Sequence, residues 1–336
     1  MIQVGMIGAG MMGRVHAESL ARLPEARLTL VADPSGSKLQ EIESTFRVRT
    51  TRNSSEVIES SEIQAVMIAT PTPLHYTWIR TALEAGKHVF CEIPLARQFP
   101  QGQELVRLAR EKNLILTANH SIRGFYEFRA LRDRVLNGSV GNPGVVRLSR
   151  RGPHPRNWYS EFEASGGVIL DAMIHDLDFL LWTCGPATRV TARGMCRDRD
   201  VRKLDYALAV IRLASGAIAH VESSWCHYGQ YAVDVEIAGD NGLLTYDNFD
   251  DSIPLRVSLI DWNSGGRKYV TESTILDTAY MKLLRGFLCA IEGTEENPVP
   301  PEQALASLQL ALAVIDSART GATVELPVPH DYGRAS

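Results

Sequence analysis

Three glycines and one acid near the amino terminus have the types and spacing that a dinucleotide site requires. Gly8, Gly10 and Gly13 follow a short apolar run, and Asp33 lies 25 residues after Gly8 at the end of the next apolar run. The first glycine allows a tight turn, the second lets a pyrophosphate approach the backbone, and the third lets a helix pack closely on the strand. The helix would then direct free N–H groups and its positive dipole end at the phosphates. The pattern predicts a diphosphate site formed by Gly8, Gly10, Met11, Met12 and Gly13.

The acid at position 33 indicates which dinucleotide is preferred. A carboxylate there can accept hydrogen bonds from both ribose hydroxyls, and it would repel a 2′-phosphate. We therefore expect NAD rather than NADP as the cofactor, although Lys38 could soften that preference. The alternative is a glycine-rich turn in another α/β domain. The flanking strand, helix and acid favour the nucleotide site.

A second set of chemically useful residues lies in an apolar segment, 168–182, that we predict to be a helix. Asp171, His175 and Asp178 are spaced i, i+4 and i+7, which places them on one helical face. A carboxylate one turn from an imidazole can orient the ring and raise its pKa, which suits proton transfer near neutral pH. A structural histidine beside acids at a helix N-terminus is the alternative. Asp171 and His175 could also be two metal ligands, but no third or fourth ligand is suitably spaced, so we expect no metal.

The elements that must position the glycine motif alternate between strands and helices. Apolar runs predict buried strands at 2–7, 28–32, 65–69, 88–91 and 114–118. Amphipathic segments predict helices at 12–23, 36–46, 75–85 and 98–112, with a short helix capped by Ser54 or Ser55. This order is typical of a doubly wound, mostly parallel sheet. Functional loops should lie at the carboxyl ends of its strands, at Gly8–Gly13, Asp33, Thr70–Pro73, Glu92–Pro94 and Asn119–Arg123.

The pattern changes near residue 120. A helix at 122–137, a strand at 145–151 and the helix at 168–182 precede strand-like stretches at 189–194, 206–213, 217–225, 232–239, 242–246 and 255–261. Closing helices are expected at 280–292 and 301–320. Alternating apolar and polar residues predict a largely antiparallel sheet with one face toward solvent or a partner. We therefore predict an α/β protein with a Rossmann domain at 1–121 and, at 122–336, an α+β domain with a large, mostly antiparallel open sheet.

Composition limits the class of protein further. The chain has 336 residues, of which 45% are hydrophobic and 22% charged, and a net charge of −4. That balance gives no reason to expect nucleic acid or an anionic membrane as a partner. No apolar run reaches the length of a membrane-spanning helix, and the amino terminus enters a strand at once. Five widely spaced cysteines without a CxxC pair fit reduced thiols, so we expect a cytoplasmic protein.

Four stretches together resemble one protein family over nearly the whole chain. They are GMIGAGMMGRVHAESL, AVMIATPTPLHYTWIRTALEAGKHVFCEIPLA, NWYSEFEASGGVILDAMIHDLDFLLWTCG and ALAVIDSARTGATVELP. The chain resembles the glucose–fructose oxidoreductase, inositol dehydrogenase and MocA (Gfo/Idh/MocA) family. The resemblance implies an NAD(P)-dependent oxidoreductase acting on a hydroxyl of a sugar, inositol or related polyol. It also implies a homodimer or homotetramer formed through the carboxyl-terminal sheet.

The resemblance implies roles for particular residues of this chain. The side of the cofactor that carries the nicotinamide ribose would be lined by Thr70, Pro71, Thr72 and His75. The nicotinamide itself would lie beside Glu92 and Pro94. Asp171 and His175 would match the family's acid and histidine on the substrate side.

One position departs from the family pattern. The usual Glu-Lys-Pro is Glu92-Ile93-Pro94 here, and isoleucine can neither move a proton nor bind a substrate oxygen. His175, supported by Asp171, is then the leading candidate for the base, with His120 and Tyr159 as alternatives. Polar partners for substrate hydroxyls are expected among His120, Arg123, His154, Arg156, Asn157, Trp158 and Tyr159. Surface packing of the 154–159 loop and a structural role for His120 are the alternatives.

Three functions remain open from the sequence. The leading hypothesis is an NAD-dependent dehydrogenase acting on a secondary hydroxyl of a sugar-like or cyclic polyol. Ile93 favours a second hypothesis, a cofactor-binding protein that has lost redox activity and acts as a sensor or partner subunit. The third is an NAD-assisted glycoside hydrolase that oxidises the sugar ring transiently.

Overall fold

The computed structural model of the protein describes residues 1–155, 157–196, 204–227, 229–248, 256–260, 267–268 and 278–327. Arg156, one of the expected substrate contacts, lies outside these residues. The chain divides into two compact units. The first consists of Met1–Phe125 and Leu276–Leu305, and the second of Tyr126–Ile275 and Ala306–Ser336.

A six-stranded parallel sheet forms the centre of the first unit. Its strands are β1 (Ile2–Ile7), β2 (Ala26–Ala32), β3 (Arg49–Thr51), β4 (Ala65–Ile68), β5 (His88–Cys91) and β6 (Leu116–Ala118), in the order β3-β2-β1-β4-β5-β6. The helices between them are α1 (Met11–Ala21), α2 (Gly36–Phe46), α3 (Ser54–Glu59), α4 (His75–Glu84) and α5 (Phe99–Glu111). The central strands are buried almost throughout, as expected for a sheet covered on both faces. The predicted doubly wound sheet is confirmed.

The second unit is built on a nine-stranded sheet. After α6 (Tyr126–Leu136), β7 (Pro143–Arg151), α7 (Phe162–Ser165) and α8 (Ile174–Cys184), the chain forms β8 (Ala187–Met195), β9 (Tyr206–Leu213), β10 (Ile218–Ser224), β11 (Ala232–Gly239), β12 (Gly242–Asp247), β13 (Arg256–Ile260) and β14 (Arg267–Lys268). Helix α9 (Ala279–Glu292), helix α10 (Pro301–Thr320) and β15 (Val324–Glu325) follow. The strand order is β14-β13-β12-β11-β7-β10-β9-β8-β15, in which β7 and β10 pair in parallel and the other pairs are antiparallel. The predicted mostly antiparallel open sheet is confirmed.

The boundary between the two units is not a single point between residues 121 and 122, because each unit contains two segments of the chain. Helix α9 belongs to the first unit, where it packs against α1 and the 3₁₀ turn Ser121–Gly124. Its buried face includes Leu283, Leu284 and Phe287, which join the core of the parallel sheet. The chain therefore returns to its first unit after forming most of the second sheet.

The segment predicted as one helix at 168–182 has an irregular start. Residues Ile169–Met173 form a π-helical turn, and α8 begins at Ile174. Asp178 is fully buried, and its Oδ1 accepts a hydrogen bond of 2.9 Å from the Ser307 hydroxyl. Asp178 is therefore a buried, hydrogen-bonded residue, unlike Asp171 and His175, which are partly exposed. Among the described residues, no helix is long and apolar enough to cross a membrane.

A buried ion pair fastens α8 to the second sheet. Arg150 on β7 donates from Nε and Nη2 to the two carboxylate oxygens of Asp176, each at 2.8 Å. Its Nη1 donates to the Tyr231 hydroxyl at 2.8 Å. Asp176 is fully buried and Arg150 nearly so. Burial raises the pKa of Asp176 and the Arg150 charge opposes that rise, so each charge depends on the other.

Breaking this pair from one side should destabilise the protein strongly. In Asp176→Ala the Arg150 guanidinium stays buried without its counter-charge, and we expect the free energy of unfolding to fall by about 3 to 5 kcal/mol. The matched control is Asp234→Ala, because Asp234 pairs with Arg151 at the surface and such pairs contribute about 1 kcal/mol or less. Denaturant unfolding measures both variants. Equal losses would contradict the importance given to the buried pair.

Candidate active site

The glycine turn between β1 and α1 combines two sterically required glycines with one that faces open space. Gly8 has a φ of +105°, and a Cβ there would lie 2.4 Å from the Ala69 carbonyl oxygen. A Cβ on Gly13 would lie 2.1 Å from the Gly8 carbonyl oxygen. A Cβ on Gly10 would meet no atom within 4 Å. The first and third glycines are needed for packing, whereas the second leaves the backbone accessible to a ligand.

The amino end of α1 is suited to an anion. Helix α1 begins after Gly10 without a side-chain cap, and its first turn holds no acidic residue. The first N–H groups of a helix have no partner within the helix, so those of Met11, Met12 and Gly13 are available to an approaching phosphate. Met11 is largely exposed beside them. These residues fit the diphosphate of a dinucleotide.

Asp33 is held beside the glycine turn at the end of β2. Its Oδ2 accepts a hydrogen bond from the Ala9 N–H and its Oδ1 accepts one from the Ser35 N–H, each at 2.8 Å. Each oxygen keeps a lone pair for a further donor. Lys38 Nζ lies 3.8 Å from Oδ2. Asp33 therefore fits a ribose with free hydroxyls, and Lys38 is near enough to offset part of its charge.

His75 ties together two loops at the carboxyl edge of the sheet. Its Nδ1 lies 2.8 Å from the Pro94 carbonyl oxygen and its Nε2 lies 2.8 Å from the Thr70 carbonyl oxygen. The ring is buried, and burial lowers the pKa of His75, although both carbonyls oppose this. Both ring nitrogens are therefore engaged by backbone, while Thr70 and Pro71 remain partly exposed. Direct contact of His75 with a cofactor stays a prediction, and its observed role is to hold the two loops.

Glu92 lies at the centre of a hydrogen-bonded cluster that the sequence did not reveal. Its Oε1 is 2.5 Å from His16 Nε2 on α1 and accepts a hydrogen bond of 2.8 Å from Asn119 Nδ2 after β6. His16 is fully buried, Asn119 is almost so, and the Glu92 side chain keeps 15% of its surface exposed. The one available signal for His16 was its position three residues after Gly13, one helical turn along α1.

Two expected substrate contacts are deeply buried in the first unit. His120 is 1% exposed and Arg123 is 3% exposed, both after β6. Arg123 Nη1 donates to Gln303 Oε1 at 2.5 Å. Their contact with a substrate stays a prediction, and the observed hydrogen bond gives Arg123 a structural role as well.

In the second unit, Asp171 and His175 stand out from a buried segment. Every residue from 165 to 181 is buried except these two, which are partly exposed. Asp171 belongs to the π-helical turn that precedes α8, and such turns are frequent at functional sites. Burial raises the pKa of Asp171 to about 6, although a hydrogen bond from Trp225 and the Arg150 charge both lower it. Asp171 therefore changes its charge close to neutral pH.

The second unit also holds aromatic residues, of which Trp225 donates a hydrogen bond to Asp171. The His154 ring lies edge-on to Trp225 with 5.7 Å between centroids, and His154 Nε2 is 3.3 Å from Asp205 Oδ1. Trp158 and Tyr159 stack with 3.9 Å between centroids and are partly exposed. A stacked aromatic pair offers a flat surface on which the apolar face of a sugar ring can pack. Among the described residues, no group of three histidine, cysteine or acidic side chains is arranged to hold a metal ion.

Comparison with known proteins identifies the class. Residues 2–120 match the oxidoreductase family with an NAD-binding Rossmann fold, and residues 128–245 match the GFO/IDH/MocA C-terminal domain. The chain belongs to the Gfo/Idh/MocA family of NAD-binding oxidoreductases. The predicted family, fold, enzyme class and NAD cofactor are confirmed.

Similar proteins are named for sugar and inositol chemistry. The chain is 28% identical to the myo-inositol 2-dehydrogenase of Thermotoga maritima, over 97% of this chain and 98% of the relative. It is 31% identical to the 1,5-anhydro-D-fructose reductase of Ensifer adhaerens, over 81% of this chain and 82% of the relative. A solved structure of a putative myo-inositol dehydrogenase from Sinorhizobium meliloti 1021 is 25% identical and aligns with a TM-score of 0.83, over 97% of this chain and 100% of that chain. Levoglucosan dehydrogenase in complex with NADH is 21% identical and shares the fold, with a TM-score of 0.86 over 97% of this chain and 99% of that chain.

The different surroundings of two glycines predict different outcomes for alanine substitutions. Gly10→Ala should fold with unchanged stability, because its methyl group meets open space, but it should weaken NAD binding by about tenfold or more (~1.4 kcal/mol). Gly13→Ala should lower the free energy of unfolding by about 1 to 3 kcal/mol, because its methyl group overlaps the Gly8 carbonyl. Thermal unfolding without cofactor and NAD titration separate the two effects. Unimpaired NAD binding by Gly10→Ala would contradict the assigned diphosphate position.

The raised pKa of Asp171 predicts a pH-dependent stability cost. An acid whose pKa is about 6 when folded and 3.8 when unfolded destabilises the folded state at pH values above both. Asp171→Asn should therefore raise the free energy of unfolding by about 1 to 2 kcal/mol at pH 8, with the gain lost below about pH 4. The exposed control Asp316→Asn on α10 should change it by less than about 0.5 kcal/mol at either pH. A gain that is the same at pH 8 and pH 4 would show that charge is not the cause.

Proposed function

We propose that this protein is an NAD-dependent dehydrogenase that acts on a secondary hydroxyl of a sugar-like or cyclic polyol. His175 takes the hydroxyl proton, and Asp171 supports the imidazole. The observation that carries the proposal is the partial exposure of these two side chains within a segment that is otherwise buried from 165 to 181. An acid and a histidine that are accessible in such a segment are groups suited to proton transfer.

The first unit supplies the cofactor site. Gly8, Gly10 and Gly13 admit the diphosphate to the backbone, and Asp33 receives the ribose hydroxyls. When bound, NAD⁺ accepts a hydride from the substrate carbon. The proton of the same hydroxyl passes to His175 Nδ1 or Nε2, and the C–O bond becomes a carbonyl. NAD is preferred over NADP because the Asp33 carboxylate would repel a 2′-phosphate.

Ile93 requires that the proton acceptor come from elsewhere in the chain. An alkyl side chain carries no proton, whereas an imidazole accepts one near neutral pH. Asp171 is ionised above its pKa of about 6, and in that form it stabilises a protonated imidazole electrostatically. We therefore expect activity to fall as the pH drops through about 6.

Polyol recognition fits the polar and aromatic side chains expected to bind the substrate. Hydroxyls left unpaired in a closed site cost about 1 to 3 kcal/mol each, so a polyol site needs several hydrogen-bonding side chains. The stacked Trp158–Tyr159 pair suits the apolar face of a ring, and His120 and Arg123 are the expected polar contacts. The names of the Thermotoga maritima and Ensifer adhaerens relatives support cyclic polyols and sugars as the substrate class.

The outward face of the nine-stranded sheet supports a homo-oligomer. Strand β9 alternates between buried and exposed residues, and its exposed side presents Leu208 and Val210, with Ile218 on the adjacent β10. An apolar group of this kind on a sheet face suits a second copy of the chain. We propose that the chain forms a homodimer or homotetramer through this face. We also propose that the protein is cytoplasmic, as its cysteine pattern predicts.

The alternative of lost redox activity rests on Ile93 and has a direct test. Ile93→Lys restores the family's lysine beside Glu92. If the protein has lost redox activity, this variant should gain turnover from an inactive parent. If the lysine-free mechanism holds, the parent is active and the variant should be less active.

Replacing the proposed base should reduce turnover without affecting cofactor binding. With a panel of inositols and sugars, the wild-type protein should generate reduced nicotinamide absorbance, and His175→Gln should lower kcat by about 10² to 10⁴, the usual contribution of a general base. The NAD dissociation constant should stay unchanged. Lys112→Gln, at an exposed position after α5, is the control and should keep full activity. A wild-type protein that holds NAD but reduces none of it with any compound of the panel would refute the proposal.

A further inference from the structure

Glu92 is a carboxylate fixed in place by two donors. Its Oε1 is engaged by His16 Nε2 at 2.5 Å and by Asn119 Nδ2 at 2.8 Å. One donor comes from α1 and the other from the residue that follows β6. With both donors on one oxygen and part of the side chain exposed, the carboxylate is oriented yet still reachable.

His16, the first of the two donors, is buried among aromatic rings. A carboxylate only accepts hydrogen bonds, so Nε2 carries the proton of the bond to Glu92. His16 Nδ1 is buried and has no hydrogen-bond partner among the described residues. Phe90 and Tyr280 lie edge-to-face with the ring at 5.6 and 5.9 Å between centroids. The edge-to-face packing of these two rings on His16 holds its Nε2 donor in place against Glu92.

Two further titratable groups, His75 and Cys91, lie close enough to Glu92 to interact with its charge. Burial lowers the pKa of His75, and burial together with the Glu92 charge raises the pKa of Cys91 well above its usual range. Position 93, where the family carries a lysine, is isoleucine. In the part of the chain that the structure describes, His16 is the ion-pair partner that geometry assigns to Glu92. Position 93 therefore adds no positive charge beside the Glu92 carboxylate.

The position of Glu92 in the sheet relates this charge to the cofactor. Glu92 follows β5, and the strand order β2-β1-β4-β5 places it two strands from the glycine turn, on the side opposite Asp33. Strands are about 4.8 Å apart, so β5 lies about 10 Å from β1. A dinucleotide binds across the carboxyl ends of the strands where the strand order reverses. Because Asp33 receives the adenosine ribose, the nicotinamide half extends toward β4 and β5.

We propose that Glu92 is a fixed anion that stabilises the positively charged oxidised nicotinamide relative to the neutral reduced form. It thereby sets the relative affinities for NAD⁺ and NADH and lowers the reduction potential of the bound couple. The consequence is a protein that releases NADH readily and whose bound cofactor favours carbonyl reduction. This inference rests on NAD binding by the first unit and goes beyond the proposed reaction.

The test compares the dissociation constants of NAD⁺ and NADH in four proteins. Calorimetry gives the value for NAD⁺, and nicotinamide fluorescence gives the value for NADH. Glu92→Gln removes the charge with little change of shape, and Ile93→Lys adds a neighbouring cation. Each should raise the ratio of the NAD⁺ constant to the NADH constant by about tenfold, which corresponds to about 1.4 kcal/mol and a rise of about 30 mV in the potential of the bound couple.

Asp33→Asn is the matched control. It removes a carboxylate from the adenosine side, which is identical in NAD⁺ and NADH, so both dissociation constants should rise together and their ratio should stay unchanged. The comparison therefore separates a charge effect at the nicotinamide from a general loss of binding.

A ratio that stays within about twofold of the wild-type value in both Glu92→Gln and Ile93→Lys would overturn the inference. If Glu92→Gln does not fold, Ile93→Lys decides alone, because its side chain is only partly buried. If the wild-type protein binds NAD⁺ and NADH but oxidises no polyol, the proposed function is refuted. This inference still holds in that case, provided that the variants change the ratio of the two dissociation constants. A wild-type protein that binds neither form would overturn both.

Discussion

Close approach of a ligand to the backbone between β1 and α1 is the constraint on which the rest of this structure depends. At Gly8 and Gly13 a methyl group would overlap a carbonyl oxygen, and at Gly10 the space beyond the backbone is open. Helix α1 starts at the same turn without a side-chain cap, and the Ala9 N–H of the turn donates a hydrogen bond to the Asp33 carboxylate. A single local arrangement therefore positions both the phosphate donors and the ribose acceptor.

At position 93 this chain has isoleucine where the family carries lysine, so a positive charge and a proton carrier are missing from that position. In the first unit, the residue after Glu92 offers neither a positive charge nor a proton. In the second unit, Asp171 and His175 are partly exposed within the segment 165–181, which is otherwise buried, and Trp225 donates to Asp171. We propose that the first unit binds NAD and that Asp171 and His175 handle the proton.

Local patterns predicted the parts of the fold that local forces determine. The glycine spacing, the apolar runs of β1, β2, β4 and β5, and the Asp33 acceptor all lie within short stretches, and the structure has them at the expected places. The features that these patterns did not predict depend on residues far apart in sequence. Asp178 is buried and accepts a hydrogen bond from the Ser307 hydroxyl, 129 residues later, and the His16–Glu92 contact joins positions 76 residues apart. The π-helical turn before α8 and the return of α9 to the first unit likewise depend on packing that hydrophobic periodicity does not encode.

Transfer of deuterium from substrate carbon to the cofactor tests the central claim most directly. The protein would be incubated with NAD⁺ and a panel of inositols and sugars deuterated at their secondary carbinol carbons, and the nicotinamide product examined by mass spectrometry and NMR. The account predicts NADH with one deuterium at the reduced ring carbon and a polyol converted to its ketone. Reduced cofactor without deuterium, or deuterated polyol consumed with no label reaching the nicotinamide, would contradict it.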